Sequence, residues 1–486
     1  MDKIQYLQVI DNTIASGKFN DNWESLSEFQ VPQWYQQAKF GIFIHWGLYS
    51  VPAFSSEWYS RNMYMQGTPE YEHHIAVYGE HKDFGYKDFI PMFKADRFQA
   101  EEWAELFKKS GAKYVMPVAE HHDGFQMYKS AYSHYNTYEM GPKRDLLAEM
   151  KTAFEKQDLK LCVSSHRAEH WFFMSHGKEF ESDIHEPLEC GDFYWPAMPE
   201  PTEHQDLYLS PPNQEFLEDW LIRCCELVDN YQPRVFYFDW WIHTAAFKPY
   251  LKKFAAYYYN RADEWGYPVA INYKHDAFMF GCAVPDIERG QFAELKSYFW
   301  QTDTAVAKNS WCYTPNNEYK SAVEIIRDLI DIVSKNGSLL LNIGPKSDGT
   351  LPEQDQDILL AIGDWLKING EAIYDTTYWR TFGEGPTQII EGQFTDSNTK
   401  VFTSEDIRFT VKGSSLYATV LVYPEDGVVH IKSLKEHSIH FHGVIKDIHV
   451  LGFNDKPSWE RTDEALTLKT TTVHSATPVV FKIDLD

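Results

Sequence analysis

Short apolar runs alternate with amphipathic stretches through most of the chain, and each kind has its own period. The runs Phe40-Gly-Ile-Phe-Ile-His-Trp46, Tyr114-Val-Met-Pro-Val-Ala119, Leu159-Lys-Leu-Cys-Val-Ser-Ser165, Val235-Phe-Tyr-Phe238, Pro268-Val-Ala-Ile-Asn-Tyr-Lys274 and Ser338-Leu-Leu-Leu-Asn-Ile-Gly344 are mostly apolar at consecutive positions. That is the pattern of a strand buried on both faces. Between them the spacing turns helical. Over 97–110, Phe98, Trp103, Leu106 and Phe107 share one side, and Gly111 ends the helix. Residues 145–156, 216–228 and 322–335 read as further helices. Strands alternating with helices imply parallel βαβ units. Residues 1–30 are polar and read as helical or loose, and 172–213 form a long Pro-containing insertion.

After about residue 385 the pattern changes to alternation rich in Val, Thr and Ile, with turn signals such as Pro424-Glu-Asp-Gly427. This predicts an all-β unit, a sandwich. The expected architecture is a (β/α)8-like barrel over 1–384 followed by a C-terminal antiparallel β-sandwich over 385–486.

Polar or ionisable residues close many of the predicted strands: His45, His121, His166, Asp239 and Lys274. In a parallel α/β barrel that end opens into the active site. Asp239 carries the most weight, because an ionised carboxylate beside Trp240 and Trp241 is costly unless it is paired or hydrogen-bonded. It reads as a nucleophile facing a sugar, with aromatic rings against the sugar's apolar face. A cap for the next helix or turn is the competing explanation.

Composition narrows the choice. The formal charge of −26 disfavours nucleic acid and anionic membranes as partners. Aromatic residues make up 16% of the chain, which suits sugar-binding clefts and ordinary packing alike. The six cysteines show no paired zinc spacing and no disulfide framework, which favours reduced thiols and a cytoplasmic setting. The N-terminus shows no basic and apolar leader, and no run of about 18 apolar residues predicts a membrane span.

Glu120-His-His-Asp-Gly124 is the densest polar cluster. A metal site is disfavoured: adjacent side chains on a strand point to opposite faces, and no third or fourth ligand is spaced beside them. Neutral imidazoles that donate to and accept from sugar hydroxyls fit better, as does a histidine satisfied by its neighbours. His45-Trp-Gly47 has the same readings, and Glu57-Trp-Tyr59 offers a carboxylate beside an aromatic platform. There is no Walker loop, no strand-linked Gly-x-Gly-x-x-Gly, no His-Glu-x-x-His and no Gly-x-Ser-x-Gly. Carboxylates with aromatics and histidines remain, which is glycosidase chemistry.

Three long stretches carry a resemblance. Phe40 to Phe54 with Glu57-Trp-Tyr59, Ala112-Lys-Tyr-Val115 with His121-His-Asp-Gly-Phe125, and Ser334 to Pro345 with Asp348-Gly349 and Asn369-Gly-Glu-Ala-Ile-Tyr374 resemble the α-L-fucosidases of glycoside hydrolase family 29. The resemblance covers about 34–380 and implies a retaining exo-glycosidase, without metal or other cofactor, that releases α-linked L-fucose from a fucosylated glycan or small fucoside. It implies sugar contacts at His45, Glu57, Trp58, His121 and His122, with Lys274 where the family often has Arg, and a nucleophile at Asp239. Trp240 stands where Gly often follows that Asp, and Ser164-Ser-His-Arg167 replaces a Tyr-containing run. The family's acid/base lies on a variable loop after the nucleophile strand. Among Asp276, Asp286, Glu288, Glu294 and Asp303, Glu288 is the choice, with Gly290 allowing a tight turn. A homo-oligomer is expected from the family's habits. An α-L-galactosidase or other exo-glycosidase, and a sugar-binding protein without catalysis, are the alternatives.

Overall fold

The computed structural model describes residues 1–486 apart from His204, Thr399 and Lys400. Its larger unit is a closed parallel barrel. The strands are β1 (Phe40–Ile44), β2 (Tyr114–Glu120), β3 in two pieces (Lys160–Leu161 and Val163–Ser165), β4 (Val235–Phe238), β5 (Ala270–Tyr273), β6 (Val284–Glu288), β7 (Trp300–Ala305) and β8 (Gly337–Ile343). Neighbours pair in chain order, and β1 closes the barrel by pairing with both β2 and β8. The continuous apolar runs are the strands buried on both faces, as their pattern predicts.

β6 and β7 were not foreseen. They read Val-Pro-Asp-Ile-Glu and Trp-Gln-Thr-Asp-Thr-Ala, so polar residues interrupt the apolar pattern. Their polar side chains face an interior that hydrogen-bonds them: Gln301 donates to Asp286 (2.8 Å), and Tyr35 (2.5 Å) and Tyr114 (3.2 Å) donate to Gln301. Gly41 makes room for this layer, because a Cβ there would lie 2.3 Å from the Tyr114 ring. Among the described residues, no helix follows β5 or β6. Helices follow the other strands at Ala100–Lys109, Leu146–Lys156, Gln214–Tyr231, Lys248–Trp265, Ala322–Ser334 and Glu353–Asn369, and an added N-terminal helix, Lys3–Ser16, packs on two of them. No helix of the described residues is long and apolar enough to cross a membrane.

The smaller unit is two antiparallel sheets. The five-stranded sheet runs Thr377–Glu384, Ile407–Lys412, Ser415–Val420, Val479–Leu485, Ile445–Val450, and the three-stranded one Val428–Ile431, Leu466–Lys469, Ser458–Arg461. Its first strand begins before the change of texture at residue 385. Phe409, Leu416, Phe441, Leu466 and Phe481 fill the space between the sheets. A buried ion triad ties it to the barrel: Asp331 meets Lys335 at 2.6 Å and Arg408 of the sandwich at 2.5 Å. The segment after Glu384 then returns to the barrel. Gly392 N donates to Gln291 O (3.3 Å) and Phe394 N to Glu288 O (2.8 Å), on the side where β5 and β6 lack helices.

Candidate active site

The C-terminal ends of the barrel strands converge on a cavity of about 460 Å³. His45 follows β1, His121 and His122 follow β2, His166 follows β3, Asp239 follows β4, Glu288 ends β6 and Asp303 lies within β7; all seven line the cavity. The loop after β1 adds Glu57 and Trp58. His121 and His122 both face inward, although neighbours on a strand alternate. The reason is that β2 ends at Glu120, so the pair sits in the turn beyond it. Glu120 itself points away and meets Arg167 (2.8 Å) and Arg223 (3.1 Å).

Asp239 is enclosed by cations and imidazoles. Its Oδ2 lies 3.0 Å from His166 Nδ1 and 3.4 Å from His122 Nε2, and its Oδ1 lies 4.0 Å from Lys274 Nζ. Burial alone would push this carboxyl up, yet His166, His122 and Lys274 hold it well below the usual carboxylate range. His122 Nδ1 faces Glu169 Oε2 at 3.2 Å. Against burial, Glu169 and Asp239 raise His122 to about 9, so it is an imidazolium at neutral pH. Burial lifts Glu169 itself to about 7. Burial keeps His45 and His121 neutral. His45 is oriented by Asn342 of β8 (2.7 Å) and stacks on Trp311 at 5.2 Å.

On the other side of Asp239, one ammonium serves four carboxylates. Lys274 Nζ lies 3.0 Å from Glu288, 3.2 Å from Asp286, 3.5 Å from Asp303 and 4.0 Å from Asp239. Burial opposes the charge on Lys274, but these four neighbours hold its pKa well above the ordinary lysine value. Burial and the Asp286 charge push Asp303 up; Tyr237 donates to its Oδ2 at 2.7 Å. Lys274 was expected to touch the sugar, but its side chain is 1% exposed and lies behind the cavity wall.

Glu288 sits on the strand itself rather than on a variable loop, and Trp240 Nε1 donates to its Oε2. The left-handed residue of the following turn is Arg289 (φ 43°), not Gly290, whose missing Cβ instead admits the Gly392 carbonyl. Of the other candidates, Asp276 and Glu294 are exposed and do not line the cavity, and Asp286 is buried beneath it. The strand-3 histidine also supplies a third imidazole beside the first two. Ring nitrogens of His45, His121 and His166 lie within 4.8 Å of one another, which the spacing along the chain had not suggested. Glu169, Tyr237, Trp311 and Asp303 complete the wall. His166 had a signal in its position at a strand end, and Glu169 follows it by three residues; Asp303 was marked only as a carboxylate past Lys274, and Trp311 had no signal.

A carboxylate kept ionised, a second one across the same ammonium, and a wall of neutral imidazoles and aromatic rings form an arrangement suited to glycosyl transfer. The family model described as Alpha-L-fucosidase matches residues 6–371, and that of the Alpha-L-fucosidase C-terminal domain matches 400–483. The chain belongs to the alpha-L-fucosidase family. It is 34% identical to the plasma alpha-L-fucosidase of Homo sapiens over 77% of this chain and 76% of that protein. It is 31% identical to the tissue alpha-L-fucosidase of Rattus norvegicus over 87% and 83%. The structure of Thermotoga maritima alpha-fucosidase in complex with a mechanism-based inhibitor superposes with a TM-score of 0.75 at 29% identity, covering 96% of this chain and all of that one. The barrel and C-terminal sheets are therefore those of a fucosidase, as the resemblance implied.

Proposed function

We propose that the chain hydrolyses terminal α-linked L-fucose with retention, by double displacement. The observation that carries this is the pair Asp239 and Glu288, both within 4.0 Å of the Lys274 ammonium at the end of one cavity. In the first step Asp239 attacks the anomeric carbon while Glu288 gives its proton to the departing glycosidic oxygen. In the second step Glu288, now a carboxylate, takes a proton from water. The water oxygen attacks the same carbon and Asp239 leaves. Retention asks for carboxyls roughly 5–5.5 Å apart, and placement around one ammonium is compatible with that. His122, His166 and Lys274 keep Asp239 ionised, and so nucleophilic. His45, His121, Glu57 and Trp58 bind the ring: imidazoles and the carboxylate address its hydroxyls, and the indole stacks on its apolar face.

A panel of 4-nitrophenyl glycosides tests this reading. The α-L-fucoside should be turned over with retention, read by NMR of the first product. An α-L-galactoside differs by one hydroxyl and should be slower by at most about 10²-fold, since apolar pockets reject an added hydroxyl weakly. Turnover of neither would favour the sugar-binding alternative. The cytoplasmic setting draws support from six free thiols, five of them buried. The homo-oligomer rests on family habit, and light scattering at micromolar concentration decides it, a monomer mass contradicting it.

A further inference from the structure

Beyond the carboxylates the cavity continues into an aromatic rim that the proposed chemistry leaves unused. Trp240, Trp241, His243, His275 and Phe394 line it. Trp240 donates its indole N–H to Glu288, so this rim begins beside the atom that must protonate the departing oxygen. Trp240 and Phe394 lie nearly parallel (14°) with centroids 6.0 Å apart, and His275 meets the Trp240 edge at 4.4 Å.

The rim is held rather than loose. Trp241 (φ 74°), His275 (φ 50°), Arg289 (φ 43°) and Phe394 (φ 56°) are all non-glycine residues in the left-handed region. Such conformations persist where the surroundings over-determine them, and they cluster at functional sites. Phe394 is 54% exposed, yet its N–H is bonded to Glu288 O (2.8 Å) and the next turn is pinned by Asp396. The Asp396 carboxylate meets Lys320 and Thr304, each at 2.6 Å, and Arg289 at 3.3 Å. A rigid backbone thus presents a phenyl ring to solvent at the mouth of the cavity. The five rim side chains carry no formal charge at neutral pH: burial lowers His275 and takes His243 down to about 4.

We propose that this rim is the binding site for the leaving group, and that it takes a neutral aglycone with a flat apolar face, a second pyranose or an aryl ring, stacked on Phe394. The inference rests on the fucosidase reading of the carboxylates. The occupant is fixed by connectivity, because a fucose ring seated at Asp239 directs its anomeric substituent past Glu288 toward the rim. Imidazoles at 243 and 275 supply neutral donors and acceptors for its edge.

The test compares kcat/KM of the parent, Phe394→Ala and Phe394→Tyr on three substrates: α-L-fucosyl fluoride, which has no aglycone ring, 4-nitrophenyl α-L-fucoside, and a fucosyl disaccharide. Phe394→Ala should lose about tenfold on the ringed substrates, the scale of one aromatic stacking contact, and stay within about twofold on the fluoride. Phe394→Tyr should restore the loss. A loss confined to one ringed substrate supports the site and says which ring it takes. An equal loss on all three, or none on any, overturns the proposal. Parent turnover of the fluoride reports the fucosidase reading by itself, so failure of the rim is read from the variants alone.

Discussion

Replacing Glu288 with Ala separates its proposed role from a structural one. General acid catalysis is worth about 10²–10⁴ in rate, or roughly 3–5 kcal/mol of barrier. That amount is needed only when the departing oxygen is a poor leaving group. The surroundings limit collateral damage. Lys274 keeps Asp286 (3.2 Å), Asp303 (3.5 Å) and Asp239 (4.0 Å), so no buried cation is orphaned. The Trp240 indole loses its acceptor, which costs about 1–3 kcal/mol in a dry site. The Glu288 side chain is 10% exposed at the cavity, so water can replace it and the lower figure applies. The expectation is a stability loss of about 1 kcal/mol by denaturant titration, with kcat/KM falling by about 10³-fold on a fucosyl disaccharide and by less than about tenfold on the 2,4-dinitrophenyl fucoside. Added azide should rescue the variant and yield α-fucosyl azide, because it attacks a β-linked fucosyl-enzyme. Equal losses on both substrates, or none, would refute the assignment. Asp303, the other carboxyl that lines the cavity beside Lys274, would then be tested as Asp303→Asn.

Asp331→Ala should destabilise the chain by about 3–5 kcal/mol, because it removes the buried carboxylate that Lys335 and Arg408 share in the barrel–sandwich contact; a calorimetric Tm within a degree of the parent would contradict this. His122 is raised from 6.5 to about 9 in the folded chain. Its stabilising contribution is therefore complete below about 6.5 and lost as pH rises through about 9. His122→Gln should flatten the parent's fall in stability between about pH 7 and 10 by about 2 kcal/mol, and identical pH dependences would refute the pairing with Glu169 and Asp239. Dialysis against EDTA should leave kcat unchanged, whereas loss with EDTA and recovery with zinc would assign His45, His121 and His166 to a metal.

What the sequence made legible followed burial. β1, β2, β4 and β8 are apolar on both faces, so their runs stood out and placed His45, His121, His122 and Asp239 at strand ends. β6 and β7 were illegible for the opposite reason. Their inward residues Asp286, Glu288, Gln301 and Asp303 serve a polar interior, which erases the apolar run, and Pro285 argues against a strand. Missing those strands also misplaced Glu288 onto a loop. Lys274 sat at the right strand end, but its enclosure by four carboxylates depends on β6 and β7 pairing beside it. Trp311 and Phe394 reach the cavity through loops that are distant in sequence, and no local pattern marks such contacts. The sandwich was legible in kind, yet its first strand and the returning segment that carries Phe394 lie on either side of the change in texture.

The measurement that bears most directly on the account is chemical rescue of Asp239→Gly. With the nucleophile gone, hydrolysis of an aryl α-L-fucoside should fall by several orders of magnitude while the fold is kept. Azide should then occupy the vacated space, attack the anomeric carbon in a single displacement, and give β-fucosyl azide, identified by its proton coupling constants. Formation of that product is the predicted result. Retained hydrolysis in the variant, or α-fucosyl azide as the product, would contradict Asp239 as the group that forms the covalent intermediate.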